Sequence, residues 1–250
     1  MTAWKRCEVI GDCVLYQGDC LEVMPALGRV DHVMSDPPYG ITETHEKHLS
    51  GVTLRDGTPA GQALGFDGIS GDQLVSLARQ WCDMAARWVV FSCEWKDAHR
   101  LDEAGLLVRL GIWRKPDGAP QFTGDRPGTG WEAVAICHRK GRKRWNGGGK
   151  HAVWTVPKGV SDGHPTQKPI RLVEEWLLDF TDNGETILDP FCGSGTTLVA
   201  CARTGRASIG IERDPKWFDL ACRRVEAAYA QPDLFIPAPA PKPEQTGMDL

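Results

Sequence analysis

Asp36-Pro37-Pro38-Tyr39 stands where the apolar run from Val30 to Ser35 ends. An open α/β sheet gathers its ligands outside the carboxyl ends of its strands, so chemistry is expected here. Two consecutive prolines remove two amide donors and fix φ, giving a rigid backbone whose carbonyls are free to accept. That suits a target carrying two N–H donors, an exocyclic amine, with one hydrogen for the Asp36 carboxylate and one for the Pro37 carbonyl. Tyr39 adds an aromatic face on which a planar base can stack. The plain alternative is a rigid surface turn.

Three further stretches carry candidate chemistry. Thr186 to Thr197 reads as a strand, a glycine turn with Gly193 and Gly195, and the start of a helix through Leu198, Val199 and Ala200. A dinucleotide fingerprint needs a third glycine where Leu198 stands, so a cofactor with a ribose but no pyrophosphate fits better. The next strand ends at Glu212, 17 residues beyond Gly195, where an acid can bind both ribose hydroxyls. His164-Pro165-Thr166-Gln167-Lys168-Pro169 enters a helix, and a helix N-terminus with a lysine favours a carboxylate. Asp19 ends another strand; taken alone it is a helix cap.

These residues need strands to carry them, and the chain alternates short apolar runs with helical periodicity, the pattern of an α/β fold with a largely parallel sheet. The expected strands are Val14 to Gln17, His32 to Ser35, Trp88 to Cys93, Leu106 to Trp113, Ala133 to His138, Thr186 to Leu188 and Ser208 to Glu212. One helix places Leu74, Leu77, Ala78, Trp81, Ala85 and Trp88 on a buried stripe, capped by Asp72. A second carries Leu172, Val173, Trp176, Leu177 and Phe180, with Pro169 in its first turn. The last has Asp214 as N-cap and Pro215 at its first position, with Phe218, Ala221, Cys222, Val225 and Tyr229 inward. Residues 40–71 hold seven glycines and read as a mobile loop. The proline-rich stretch 231–250 reads as a disordered tail, leaving one domain over residues 1–230.

Composition narrows the classes. No stretch approaches the roughly 20 apolar residues that span a bilayer, and no apolar run follows the first basic residues, so the chain reads as soluble and cytoplasmic. No two of the nine cysteines have zinc-ribbon spacing, which fits free, mostly buried thiols and no metal. His45 and His48 read as exposed loop residues. The net charge of −4 argues against a nucleic-acid partner, but its distribution reverses that. The 29 residues from Ala133 to Ser161 contain no acid and seven Lys/Arg, leaving −11 on the rest. Arg139, Lys140, Arg142, Lys143, Arg144 and Lys150, with Trp145 interleaved, can grip a polyanion. A solvated basic loop is the plain reading.

Taken together, these motifs resemble the β-class, permuted amino-methyltransferases of DNA. There a (D/N/S)PPY motif precedes an FxGxG motif, as Asp36 to Tyr39 precede Phe191, Gly193 and Gly195 here. The resemblance runs from about Tyr16 to Tyr229. It implies a Rossmann-like class I methyltransferase fold, a mostly parallel seven-stranded sheet with helices on both faces. It implies S-adenosylmethionine as cofactor and duplex DNA as substrate. Asp36, Pro37, Pro38 and Tyr39 then carry the catalytic motif, and Asp19 lies by the cofactor adenine. Asp189, Phe191, Gly193 and Gly195 shape the pocket, Glu212 holds the ribose, and Thr166 and Lys168 belong to the methionine end. Residues 139–160 fall where the family carries its target-recognition insertion.

The resemblance implies adenine N6 as the acceptor, because family members with Asp at the first motif position usually act there, and cytosine N4 is the runner-up. A carbon-5 mechanism requires a cysteine nucleophile, usually after proline, and no Pro-Cys dipeptide occurs. An RNA or protein-amide methyltransferase and a non-catalytic DNA-binding module are the other classes. Gln231, Leu234 and Phe235 match sliding-clamp docking peptides, and that partnership and a homodimer stay open.

Overall fold

The computed structural model describes residues 2–39, 68–118, 125, 127–159 and 167–231. Residues 40–67 of the glycine-rich loop, with His45 and His48, together with Thr166 and the tail from 232, with Leu234 and Phe235, lie outside these residues, whereas Ser70 and Gly71, expected in the loop, cap and begin a helix.

In chain order the elements are β1 (Arg6–Ile10), β2 (Cys13–Gln17), α1 (Cys20–Val23), β3 (His32–Ser35), α2 (Gly71–Met84), β4 (Trp88–Cys93), α3 (Ala98–Glu103), β5 (Leu107–Arg114), β6 (Trp131–His138), β7 (Val153–Thr155), α4 (Ile170–Phe180), β8 (Thr186–Asp189), α5 (Thr196–Thr204), β9 (Ala207–Glu212) and α6 (Pro215–Ala230). One mixed sheet takes the order β1-β2-β9-β8-β3-β4-β6-β5-β7. Its centre, β2-β9-β8-β3-β4, is parallel throughout, while β1 and β6 run against their neighbours. Among the described residues the sheet thus has nine strands rather than seven. The two unforeseen ones are β1, an exposed edge strand, and β7, only three residues long.

The central strands are apolar on both faces because helices cover both. Val33, Val89 and Phe91 pack with Leu74, Leu77 and Trp81 of α2. Their neighbours Met34 and Val90 point the other way, to Leu172, Trp176 and Phe180 of α4. Beyond α4, Leu198 of α5 and Phe218, Ala221 and Val225 of α6 close over Cys13 and Leu15 of β2. Each such large side chain, fully buried, contributes about 2 kcal/mol.

Some local expectations shift. The cap of α2 is Ser70, not Asp72: its hydroxyl accepts from the Gln73 amide, and the Gln73 side chain accepts from the Ser70 amide. Asp72 instead pairs with Arg100 at 2.6 Å. Ala85 and Trp88 have left the helix, Ala85 as its C-cap and Trp88 as the first residue of β4. Pro169 is the N-cap of α4 rather than a first-turn residue. Asp214 caps α6 as expected, accepting from the Lys216 amide. Tyr229 is only partly inward; its hydroxyl accepts from the Asp12 amide at 3.0 Å. All nine cysteines are free and seven are buried.

The order matters for function. The early strands β2 and β3 flank the late strands β9 and β8, so Asp19, Asp36, the glycine turn and Glu212 come to one rim of the sheet.

Candidate active site

Asp36 follows the last residue of β3, Glu212 is the last of β9, and the glycine turn follows β8 between them. Asp36 and Glu212 therefore stand two strand spacings apart on the same rim, about 10 Å. Asp19 follows β2, and the Gly18 amide donates to the Glu212 carbonyl at 3.0 Å. Four consecutive strands of the sheet, β2, β9, β8 and β3, thus end at one line of candidate residues.

The glycine turn is built for close approach. Gly193 and Gly195 adopt left-handed φ of 51° and 80°. A Cβ on Gly195 would also sit 2.9 Å from the Ala221 Cβ, so the turn admits no side chain there. Glu212 Oε2 accepts from the Gly193 amide at 2.9 Å and Oε1 from the Asp214 amide at 2.7 Å. Each oxygen keeps a second lone pair for an incoming hydroxyl. Burial pushes the Glu212 carboxyl above its ordinary value. Beneath the turn Asp189 is buried, accepting from the Ser35 hydroxyl at 2.7 Å and the Phe191 amide at 3.1 Å. Burial pushes it up to about 6. Phe191 itself is half-buried and edge-on to Trp81, 6.2 Å between ring centres. Asp19 serves as the N-cap of α1, taking the Leu21 amide at 2.9 Å.

At Asp36 the arrangement is tighter than the motif implied. Lys168 Nζ lies 2.6 and 2.7 Å from the two Asp36 oxygens. Lys168, expected at the methionine end of the cofactor, is ion-paired with Asp36. The Pro37 and Pro38 carbonyls are not free: Pro37 accepts from the Tyr39 amide and Pro38 from the Ile69 amide, both at 2.8 Å. A tight turn and the returning chain use one lone pair of each and leave the other.

Glu132, at the start of β6, is a residue the motifs did not single out. Its Oε2 accepts from the Tyr39 hydroxyl at 2.7 Å and lies 3.2 Å from Lys168 Nζ, while Oε1 takes Lys115. Lys168 sits between two aromatic faces, 5.4 Å from the Tyr39 ring centre and 5.9 Å from that of Trp113. Burial pushes the Asp36 carboxyl up even against the Lys168 ammonium. Burial works against Glu132 too, but Lys168 and Lys115 outweigh it and hold its carboxyl down to about 2. Lys168 is also desolvated, yet Asp36, Tyr39 and Glu132 keep its ammonium well above the usual lysine range. The one sequence signal for Glu132 was its place as the last acid before the acid-free window, on an otherwise apolar strand.

The basic segment is elsewhere. Because β6 runs antiparallel, its end at His138 lies opposite Trp88, the beginning of β4. Arg139, Lys140, Arg142, Lys143 and Arg144 therefore emerge on the rim opposite Asp36, about 17 Å away along a six-residue strand. All are exposed. Arg87, Arg142, Lys143 and Arg144 line a cavity of about 540 Å³ there. Arg144 pairs with Asp182 at 2.6 Å and Arg87 with Glu185 at 3.0 Å. Lys150 is tied to Asp179 at 2.7 Å and is part of the protein's own ion pairing. Among the described residues, Arg139, Lys140, Arg142 and Lys143 have no carboxylate within ion-pair distance. No described helix is long and apolar enough to cross a membrane.

Known proteins share this architecture. The solved M1.HpyAVI–SAM complex aligns at a TM-score of 0.63 with 23% identity, covering 84% of this chain and 98% of that one. PvuII DNA methyltransferase, described as cytosine-N4-specific, aligns at 0.66 with 15% identity, covering 89% and 93%. In sequence, the type II methyltransferase M.Cfr9I of Citrobacter freundii is 32% identical over 153 residues, 53% of this chain and 49% of that protein. M.XycI of Xanthomonas campestris pv. cyanopsidis is 31% identical over 146 residues. The chain spans about half the length of these curated relatives. The N6/N4 methyltransferase family model, described as DNA methylase, matches residues 30–223, from the strand that presents Asp36 to the helix behind Glu212, and the chain belongs to that family.

Proposed function

We propose that the protein methylates an exocyclic amine of a DNA base, adenine N6, with S-adenosylmethionine as donor. The observation that carries this reading is the shared rim: an acid and an aromatic face two strand spacings from a ribose-ready acid and its glycine turn. When bound, S-adenosylmethionine supplies an electrophilic methyl on a sulfonium. The pocket fits it: Glu212 has lone pairs left for ribose hydroxyls, the bare turn at Gly193 and Gly195 admits close contact, and Phe191 and Asp19 flank it. Thr166 is assigned to the methionine end by its motif.

The chain's own part is to hold the target. Extruding a base from the duplex costs a few kcal/mol, which stacking on Tyr39 offsets in part. Asp36 accepts one amine hydrogen and stabilises the positive charge that develops on nitrogen. The remaining lone pair of the Pro37 carbonyl takes the other. Lys168 must yield part of Asp36 for this to happen. Arg139, Lys140, Arg142 and Lys143, on the far rim, engage phosphates outside the target base pair and give salt-dependent affinity.

Asp at the first motif position favours adenine; the likeness to a cytosine-N4-specific fold keeps N4 as the second reading. Plasmid DNA incubated with protein and cofactor, then digested to nucleosides and weighed, decides. N6-methyladenine is expected. N4-methylcytosine alone would move the proposal to the second reading, and no methylated base would reject both.

A further inference from the structure

Glu132 belongs to none of the motifs, yet it joins three groups of the site. We propose that Glu132 is the positioning residue of the catalytic site, holding the Tyr39 ring and the Lys168 ammonium so that the stacking face and the Asp36 carboxylate are set before DNA arrives. This rests on the methyl-transfer reading above.

Tyr39 lies four residues beyond the end of β3, on backbone that no strand pairing holds. Its hydroxyl donates to Glu132 at 2.7 Å and accepts from the Lys168 ammonium at a looser 3.4 Å. Glu132, by contrast, sits on paired strand: it is in register with Trp113 of β5, and the next residue, Ala133, with Cys93 of β4. A loop side chain is thus fixed from the rigid sheet, the arrangement that preorganises a site. Tyr39 cannot swing its ring without breaking that bond.

The charges close as well. Lys168 and Lys115 face Asp36 and Glu132, two ammoniums to two carboxylates, with side chains no more than 29% exposed. Lys168 contacts both acids at once, 2.6 Å from Asp36 and 3.2 Å from Glu132. Removing the Glu132 charge leaves Asp36 as the sole anion for Lys168, which then grips the catalytic carboxylate harder just where an amine must displace it. The groups facing Lys168 are Asp36 and Tyr39 from the end of β3 and Glu132 from β6. Trp113, whose indole donates to the Val156 carbonyl at 2.8 Å, floors the slot.

The test uses the full chain with Glu132→Gln, which keeps size and loses charge, and Glu132→Asp, which keeps charge and shortens reach. Folding is checked by thermal melting. The turnover of Glu132→Gln should fall about 10- to 100-fold, as for partners that orient reacting groups. Its S-adenosylmethionine affinity, by calorimetry, should stay within about twofold. In the DNA-free protein the Lys168 side chain, followed by NMR, should titrate at lower pH in Glu132→Gln than in Glu132→Asp. Native turnover in Glu132→Gln overturns the proposal. So does an unmoved Lys168 titration, or loss of turnover together with cofactor binding in both variants, which marks a merely structural tie. If the native protein methylates no DNA, the methyl-transfer reading fails, and the Lys168 titration still decides whether Glu132 positions the site.

Discussion

The two rims of the sheet use charge in opposite ways. At the carboxyl-terminal rim Asp36, Glu132, Lys115 and Lys168 are sheltered and bonded to one another, so their charges cancel locally. At the amino-terminal rim Arg139, Lys140, Arg142 and Lys143 are exposed with no described acid in reach. Charge locked in a low-dielectric network fixes geometry and discriminates between transition and ground states. Charge left in water attracts polyanions from any direction and fades with salt. The difference teaches that a basic run in a sequence marks a surface, and only strand direction says which surface. Here one antiparallel strand, β6, carries the run away from Asp36.

The comparison breaks first at Asp36. Asp36→Ala should lower the single-turnover rate of methyl transfer by about 10³-fold, the upper cost of losing one electrostatic partner in a sheltered site. Its S-adenosylmethionine affinity should be nearly native; a rate within tenfold of native would remove Asp36 from the chemistry. Glu132→Gln follows, with its smaller loss.

Stability sharpens the contrast next. The folded Asp189 carboxyl titrates at about 6, above the ordinary value of about 3.9. The folded state therefore holds that proton more tightly. The stabilisation is complete below about 4 and disappears as pH rises through about 6, an amount of about 3 kcal/mol. Asp189→Asn still accepts from Ser35 and Phe191 and has no proton to lose. Relative to it, the native protein should lose urea stability between those pH values; parallel curves would contradict the assignment. Glu132, held to about 2, acts in the other sense: its contribution is present above about 4.5 and lost as pH falls towards 2.

The smallest expected effect lies on the far rim. Arg142→Glu with Lys143→Glu should lower the slope of log affinity against log salt for non-specific duplex by about 2. The maximal rate at saturating DNA should stay within about twofold. An unchanged slope would make these residues a solvated loop.

Much of this was legible in the residues. Asp36, Glu212 and the glycine turn announced themselves because strand, turn and acid lie close together in sequence, and the topology joined them on one rim. Helix α2 was visible from its stripe, but its cap was misread; the Ser70-Gly71-Asp72-Gln73 spacing carried the capping box. Strand β1 escaped because an exposed edge strand shows no apolar alternation, and β7 because three residues carry no period. Glu132 stands 93 residues from Tyr39 in sequence, and only the β4-β6 pairing brings it there. The engagement of Lys168 with Asp36 is equally non-local.

The most direct test measures two quantities, the rate of methyl transfer and the affinity for duplex DNA, on Asp36→Ala and on the Arg142/Lys143 reversal. Separate jobs predict a crossed result: the first loses rate and keeps affinity, the second loses affinity and keeps rate. Loss of the same quantity in both would contradict the division of labour between the rims.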